Sequence, residues 1–400
     1  MKTFKEYLIE GGNTSVTNIK GDTVNPDRIP LDKIGRKEFV SKFQQFFLEF
    51  NKIFEKEYGN KLWADENEIT NAGIFNGSTS FIMADDVPDD ELLKYKKSAG
   101  DIDVAFPKEY ADELFALLEK FKNKDIIPGI KYIGNNKEKN GGGNKGFGNT
   151  IIAVVQATFD DIDVYCQVDF ELSDFKDNKQ TDYSKMAHSS SFKDAKAGMK
   201  GVASKFLLRS LVGATGEIKD GFILLTSSST VDKWKLPKKQ PTSIRLLSFG
   251  LDQGVGAKYE MLKTKDGKPF KIEGKIAYRQ YKSGERTYDK TMSYLIKVAF
   301  GGKVDDKVIK PKQLHAYVDI LDIMKKYMDK SKYPEIRDRL SDTLYGNGQG
   351  KPQAIEPNHP EEDIILKTSI YDYFCKTLKI QPNPNLDSWI NYYMEKVHKK

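Results

Sequence analysis

Ala99-Gly100-Asp101-Ile102-Asp103-Val104-Ala105-Phe106 is the stretch whose reading decides the fold of this chain. Its two acids are separated by one apolar residue and followed by an apolar run, which is the composition of a strand. On a strand, residues i and i+2 face the same way with Cα atoms about 6.5–7 Å apart, so Asp101 and Asp103 present two carboxylates side by side. A third acid, Asp169, lies in another apolar run, Val164 to Leu172, and a neighbouring strand would bring it beside the pair. Three carboxylates around two magnesium ions about 3.5–4 Å apart suit in-line phosphoryl chemistry. Glu171 shares the face of Asp169 by the two-residue period and is a reserve ligand. Asp160, Asp161 and Asp163 precede the apolar run and read as a turn between strands. The competing reading of Asp101 and Asp103 is a solvated strand edge.

Upstream, Gly77-Ser78 follows apolar Ile74-Phe75. Gly-Ser at a strand-to-helix turn, then an acid-x-acid strand, then an acid on a later strand resembles the DNA-polymerase-beta-like nucleotidyltransferase superfamily. The wording Ala99-Gly100-Asp101-Ile102-Asp103 is most similar to its poly(A) polymerase and CCA-adding branches. The resemblance covers about residues 70–215. It implies an α+β fold in which helices pack on a nucleotidyltransferase-type mixed β-sheet. It also implies transfer of a nucleoside monophosphate from an NTP to an acceptor hydroxyl, with two Mg2+ ions on Asp101, Asp103 and Asp169. Gly77 and Ser78 would hold the triphosphate through backbone N–H groups at a helix start; an ordinary helix N-cap is the other reading of this pair. The gap from Ser78 to Asp101 is longer than the family's habit, and the acidic insert Asp85-Asp86-Val87-Pro88-Asp89-Asp90-Glu91 is expected to loop out.

A second basic element follows His188-Ser189-Ser190-Ser191. In the helix expected over Phe192 to Gly213, Lys205 and Arg209 are four residues apart and share a face. By the same resemblance they are candidate contacts to the triphosphate, lysine as a point charge and arginine as a fork; solvated bases on a helix face are the alternative. His188 is read as a cap, a surface residue or a substrate contact, and not as a general base. Asn140-Gly141-Gly142-Gly143-Asn144-Lys145-Gly146-Phe147-Gly148 is not a P-loop, because no strand feeds it into a helix through Gly-Lys-Ser/Thr; it reads as a hairpin connection.

Composition sets the outer limits. With 400 residues, 38% hydrophobic and 30% charged, the chain is globular with two or three domains. It has no apolar run of about 18 residues and no signal-peptide core near Met1, which predicts a cytoplasmic protein without a membrane partner. Cys166 and Cys375 are too few and too far apart for a disulfide framework or zinc spacing. The net charge of +6 permits nucleic acid without demanding it. Lys233, Lys235, Lys238 and Lys239 around Trp234 could bind a single strand by stacking and phosphate contact, or form a solvated surface. An RNA 3′ end, which the resemblance to the poly(A) polymerase and CCA-adding branches implies and a basic later region suits, is the first acceptor considered, with a protein or a small molecule such as an aminoglycoside as rivals. A catalytically inactive fold that only binds is the reading from another class.

The remaining pattern predicts four regions: a poorly structured segment over 1–33, a catalytic domain over 34–215, a β-rich accessory domain over 216–305 and a helical region over 306–400. A phenylalanine stripe (Phe39, Phe43, Phe46, Phe47, Phe50, Phe54) marks a helix over 36–58, ended by Gly59. Strands are expected over Ile130 to Ile133, Thr150 to Phe159, Phe222 to Thr226, Ser243 to Phe249, Lys258 to Lys263, Phe270 to Gln280 and Tyr294 to Phe300, with a hairpin turn at Lys265-Asp266-Gly267-Lys268. Helices are expected from Pro311, over 361–379, and over 386–399 with Asp387 as a possible cap.

Overall fold

The structure, a computed structural model, describes residues 16–18, 23–121, 124–135, 150–212, 217–219, 222–225, 243–245, 257–261, 263–272, 275–280, 290–300, 304–346, 354–355 and 359–398. The chain forms two compact units that divide between Gly198 and Met199. Both mix helices and strands, so the α+β class holds.

In the first unit, alternation of apolar and polar residues builds a mixed sheet. Its strands are β1 (Val16–Asn18), β2 (Thr23–Val24), β3 (Asp101–Pro107), β4 (Asp125–Ile127), β5 (Ile130–Asn135), β6 (Thr150–Phe159) and β7 (Ile162–Ser173). They run in the order β2-β1-β5-β6-β7-β3, with β4 also paired to β5. All neighbours are antiparallel except β3 and β7, which are parallel. Among the described residues of the N-terminal segment, β1 and β2 extend the sheet edge, and Leu31–Ile34 forms a helical turn.

The apolar face of the sheet is covered by the long helix α1 (Arg36–Tyr58). Phe39, Phe43, Phe46, Phe47, Phe50 and Phe54 are all buried, because three- and four-residue spacing places them on one side. Phe47 and Phe50 meet Phe170 of β7, and Phe54 meets Phe106 of β3. Gly59 closes α1 in the left-handed conformation at φ +77. Ile102, Val104, Phe106, Val168 and Phe170 point into this core, which turns the alternate residues Asp101, Asp103, Gln167, Asp169 and Glu171 to the opposite face.

β3 lies at the end of the sheet, and its outer edge is covered by the chain before it. Phe75 bridges Val104 antiparallel, Asn76 N–H donates to Asp103 O (3.0 Å) and Ala105 N–H to Ile74 O (2.8 Å). Trp63 Nε1 adds a bond to Ala105 O at 3.1 Å. An edge satisfied this way is no template for another chain. It also carries residues 76–79 alongside the carboxylates.

The acidic insert does not loop out. After α2 (Thr79–Met83) it turns and forms α3 (Asp89–Tyr95), with Asp89, Asp90 and Glu91 in the first turn, where the helix dipole favours acids. Buried Arg36 fixes the turn, donating to Ile82 O (2.7 Å), Val87 O (2.5 Å) and Ala84 O and pairing with Asp89 (2.7 Å). Beyond β3, a 3-10 turn over Lys108–Tyr110 leads into α4 (Ala111–Lys120), whose Leu114, Leu117 and Leu118 are buried. The short strands β8 (Phe175–Lys176) and β9 (Lys179–Gln180) pair as a hairpin ahead of α5 (Asp182–His188). The glycine-rich stretch 140–148 lies outside the described residues.

The second unit opens with α6 (Val202–Val212), a helix that the sequence reading placed in the first domain. Its sheet contains β10 (Glu217–Lys219), β11 (Phe222–Leu225), β12 (Ser243–Arg245), β13 (Ala257–Met261), β14 (Lys271–Ile272) and β15 (Lys275–Gln280). The order is β10-β11-β15-β13-β12, with β14 paired to β15. The expected hairpin turn is present: Gly267 sits at φ +80 and Thr264 N–H donates to Lys268 O at 2.8 Å.

Tyr294 to Phe300 is not a strand. It belongs to α7 (Met292–Ala299), capped by Thr291, which accepts from Tyr294 N–H. Buried Met292, Leu295, Ile296 and Ala299 follow the helical period, which a short apolar run does not distinguish from a strand. The later helices are α8 (Tyr317–Tyr327), α9 (Tyr333–Tyr345), α10 (Pro360–Leu378) and α11 (Leu386–Tyr393), the last followed by a π turn over Met394–His398. Asp387 does not cap α11. The cap position is Asn385, and Asp387 lies in the first turn.

One buried ion in this unit gives a pH signature. Lys367 is fully buried, its Nζ donating to Leu344 O at 2.5 Å and lying 3.9 Å from the Tyr393 ring centre. Burial pushes its pKa down to about 7, with Asp363 opposing and Arg209 adding to the shift. An unfolded lysine titrates near 10.4, so between about pH 7 and 10 the unfolded chain holds more protons and stability rises with pH. Thermal melts of wild type against Lys367→Met are expected to show wild type gaining on the variant from pH 7 to pH 9; a constant gap would contradict this.

Candidate metal centre

The parallel register sets Asp103 of β3 opposite Asp169 of β7, and Asp101 opposite Gln167. Asp101 and Asp103 share a face by the strand period, so the three carboxylates converge. Each offers an oxygen, and these oxygens all lie within 4.8 Å of one another. Three acids so close could hold a metal ion.

Electrostatics agree with that geometry. Burial is the largest cause raising the carboxyl pKa of Asp101, Asp103 and Asp169, the last two well above the ordinary carboxylate value. Mutual repulsion adds to it: Asp101, Glu171 and Asp169 all push Asp103 upward. Lys96 and Arg28 act the other way on Asp101. Gln167 Nε2 donates to Asp169 Oδ1 at 2.8 Å, favouring its charged form. Divalent charge would offset the repulsion, and the donor set, all carboxylate oxygen, suits a hard cation such as Mg2+.

Gly77 is held tightly against this group. It has φ +49, and a Cβ placed on it would fall 1.8 Å from Asp103 Oδ2 and 2.8 Å from its Cγ. Only glycine fits both the conformation and the contact. Its N–H donates to His188 O at 2.9 Å, so that N–H is engaged within the protein. What Gly77 supplies is close approach to Asp103. Ser78 occupies the cap position of α2 without a side-chain capping bond; the hydroxyl of Ser80 instead donates to Gly77 O at 2.9 Å.

Thr79, Asn76 and Gln167 complete the surroundings, and the sequence reading passed over all three. Thr79 Oγ1 accepts from Asp103 N–H (3.0 Å) and donates to Asp101 O (3.3 Å), tying α2 to the backbone of the acid-x-acid strand. Asn76 is fully buried, its Nδ2 donates to Glu171 Oε2 at 2.6 Å, and its Oδ1 is buried with no hydrogen-bond partner. Glu171 also pairs with His188 Nδ1 at 3.3 Å. The two-residue period could have flagged Gln167, two positions before Asp169. Thr79 and Asn76 carry no signal beyond flanking Gly77-Ser78.

Thr79→Val keeps the volume but strands two buried backbone groups. It is expected to destabilise the protein by about 1–3 kcal/mol and to weaken divalent-cation binding roughly tenfold through misplaced ligands, whereas Thr79→Ser retains both; chemical denaturation and Mn2+ titration of the two variants check this.

Lys205 and Arg209 lie on α6 in the second unit. Lys205 Nζ donates to Gly201 O at 3.3 Å, and Arg209 bears on Lys367. The cluster of first-unit residues just described does not include them.

No protein-family model matches this chain, and no curated protein or solved structure matches it either. Among the described residues, no helix is long and apolar enough to cross a membrane.

Proposed function

We propose that the chain is a metal-dependent nucleotidyltransferase of the DNA-polymerase-beta-like kind, moving a nucleoside monophosphate from an NTP to an acceptor hydroxyl. The observation that carries this reading is the convergence of Asp101, Asp103 and Asp169 on two parallel strands, with the Gly77 backbone packed on Asp103. The order Gly-Ser, acid-x-acid, acid in the sequence supports it.

In this reading Asp101, Asp103 and Asp169 would hold the two Mg2+ ions. Bound cations would neutralise phosphate charge and lower the pKa of the attacking hydroxyl. The carboxylates orient the acceptor oxygen in line with the α-phosphorus; that oxygen forms the new P–O bond as the bond to pyrophosphate breaks. Asp169 takes the hydroxyl proton. Gly77, Thr79 and Gln167 keep the three carboxylates in register, and Ser78 borders the triphosphate.

An RNA 3′ end is the acceptor we favour, from the poly(A)/CCA-like wording around Asp101 and the lysines around Trp234, which lie outside the described residues. Pyrophosphate release is measured with Mg2+, each of the four ribonucleoside triphosphates and a mixed small-RNA pool, against Asp101→Ala/Asp103→Ala. Release that needs the carboxylates, with labelled RNA lengthening at its 3′ end, is the expected result. Carboxylate-dependent release with unextended RNA would redirect the acceptor to a protein or small molecule. No release from folded wild type with any acceptor would point to a binding module.

A further inference from the structure

We propose that Glu171 binds a ribose hydroxyl of the substrate, with Asn76 and His188 as the residues that position it. The inference deepens the transferase reading and rests on it for the identity of the sugar.

On the face that carries the aspartates, the register sets Glu171 of β7 beside Ala105 of β3, one step of the two-residue period beyond Asp103 and Asp169. Ala105 carries only a methyl group, so a longer side chain can reach across it. Asn76 does so from the edge segment, and its Nδ2 donates to Glu171 Oε2 at 2.6 Å. His188, at the end of α5, brings its Nδ1 within 3.3 Å of the same oxygen. The two holders are themselves joined. Gly77 N–H, next to Asn76, donates to His188 O at 2.9 Å, and Gly77 bridges Ser189 in parallel. Glu171 therefore sits in a closed frame, with its side chain still 18% exposed. Both contacts fall on Oε2, which leaves Oε1 for a further donor.

Glu171 is not one of the three carboxylates whose oxygens lie within 4.8 Å of one another, so the frame holds it beside the metal centre and not in it. An ionised carboxylate at that place repels phosphate oxygens and can only accept hydrogen bonds. Next to the reacting phosphorus of a nucleotide, the group that offers neutral donors is the sugar. Carboxylates read ribose hydroxyls in the same manner in dinucleotide-binding folds. Asn76 supplies an independent sign. It is fully buried, and its Oδ1 has no hydrogen-bond partner. A buried acceptor left unsatisfied is costly, yet turning the amide over would set Oδ1 against Glu171 Oε2, acceptor against acceptor. The frame thus holds two acceptors that lack donors, Glu171 Oε1 and Asn76 Oδ1. The vicinal 2′ and 3′ hydroxyls of an incoming ribonucleotide carry two donors; an acceptor terminus carries its 2′ hydroxyl beside the attacking 3′ oxygen.

The test uses the full chain with Mg2+ and α,β-non-hydrolysable analogues of the four ribonucleoside triphosphates, titrated calorimetrically. Whichever binds is compared with its 2′-deoxy and 3′-deoxy forms. Wild type is expected to prefer the ribose form about tenfold or more, the scale of a hydrogen bond to a charged group. Glu171→Gln, of the same shape, should lose most of that preference. His188→Ala should lose part of it, and His188→Asn, whose amide nitrogen falls near Nδ1, should restore it. A short RNA and the same RNA with a 2′-deoxy terminus, followed by fluorescence anisotropy, form the second arm. Preference lost in the first arm assigns the hydroxyl to the nucleotide, and preference lost in the second alone assigns it to the acceptor. Mn2+ affinity, followed by EPR, should hold in Glu171→Gln, which also shows that the site has folded. Weakened Mn2+ binding with both sugar preferences intact would make Glu171 a metal ligand and overturn the proposal, as would a wild type with no sugar preference in either arm. Carboxylate-dependent pyrophosphate release with preferences unmoved by Glu171→Gln sinks this inference alone. A sugar preference carried by Glu171 in a chain that transfers no nucleotide sinks the transferase reading and leaves Glu171 in its role.

Discussion

Asp103→Asn is expected to abolish metal-dependent turnover while making the metal-free protein more stable. The two effects have one cause. Asp103 is crowded by Asp101, Glu171 and Asp169, and burial together with their charges raises its pKa well above the ordinary value. An unfolded aspartate titrates near 3.9. With the folded value raised, the folded state holds its proton more tightly, so the metal-free protein loses stability as pH rises upward from about 4 through the folded titration. At neutral pH the asparagine variant no longer carries that charge, and it should gain roughly 0.5–2 kcal/mol. Saturating Mg2+ should reverse the order, because wild type gains from a ligand that the variant binds poorly. Turnover should fall on the order of 10³-fold or more, the scale of losing charge stabilisation at a reacting phosphate. Thermal melts at pH 5 and pH 7.5, with and without Mg2+, check the stability half. A variant less stable than wild type without metal at neutral pH would refute the electrostatic account.

Gly77→Ala should do more structural damage than its single methyl suggests. The added Cβ would fall 1.8 Å from Asp103 Oδ2 on a backbone at φ +49, so either the Asp103 carboxylate leaves its place in the cluster or β3 and the 76–79 segment shift. Both are held: Gly77 by His188 O, and Asp103 by Asn76 and Thr79. The expected cost is about 3 kcal/mol or more, with loss of divalent-cation binding. Gly59→Ala is the control. That glycine also has positive φ, +77, but nothing lies within 4 Å of its Cβ position, so the cost is about 1 kcal/mol of backbone strain with cation binding intact. Equal losses in the two variants would mean that Gly77 matters only for its conformation.

How much was legible in the sequence depended on the range of the interaction that decides each feature. Helix α1 announces itself because six phenylalanines at helical spacing need only local periodicity to be read. The three aspartates were legible for the same reason: period two fixes the face of Asp101 and Asp103, and an apolar run fixes the strand of Asp169. What periodicity could not give was which strands lie side by side, since the parallel pairing of β3 with β7 joins residues more than sixty positions apart. The partners of the site stayed hidden on that account. Thr79 matters through Asp103 N–H, and Asn76 through the Glu171 carboxylate. The acidic insert is expected to loop out because it lengthens the gap from Ser78 to Asp101, whereas its acids are first-turn residues of a helix held by Arg36. Tyr294 to Phe300 was misread because seven residues, largely apolar, fit either period until the cap at Thr291 is considered.

The most direct measurement of the central claim is anomalous scattering from crystals of the wild-type protein grown with Mn2+. The account predicts peaks bounded by the carboxylates of Asp101, Asp103 and Asp169 at direct-coordination distance, absent from crystals of Asp103→Asn under the same conditions. Ordered density for the three side chains at saturating Mn2+ with no peak between them would contradict it.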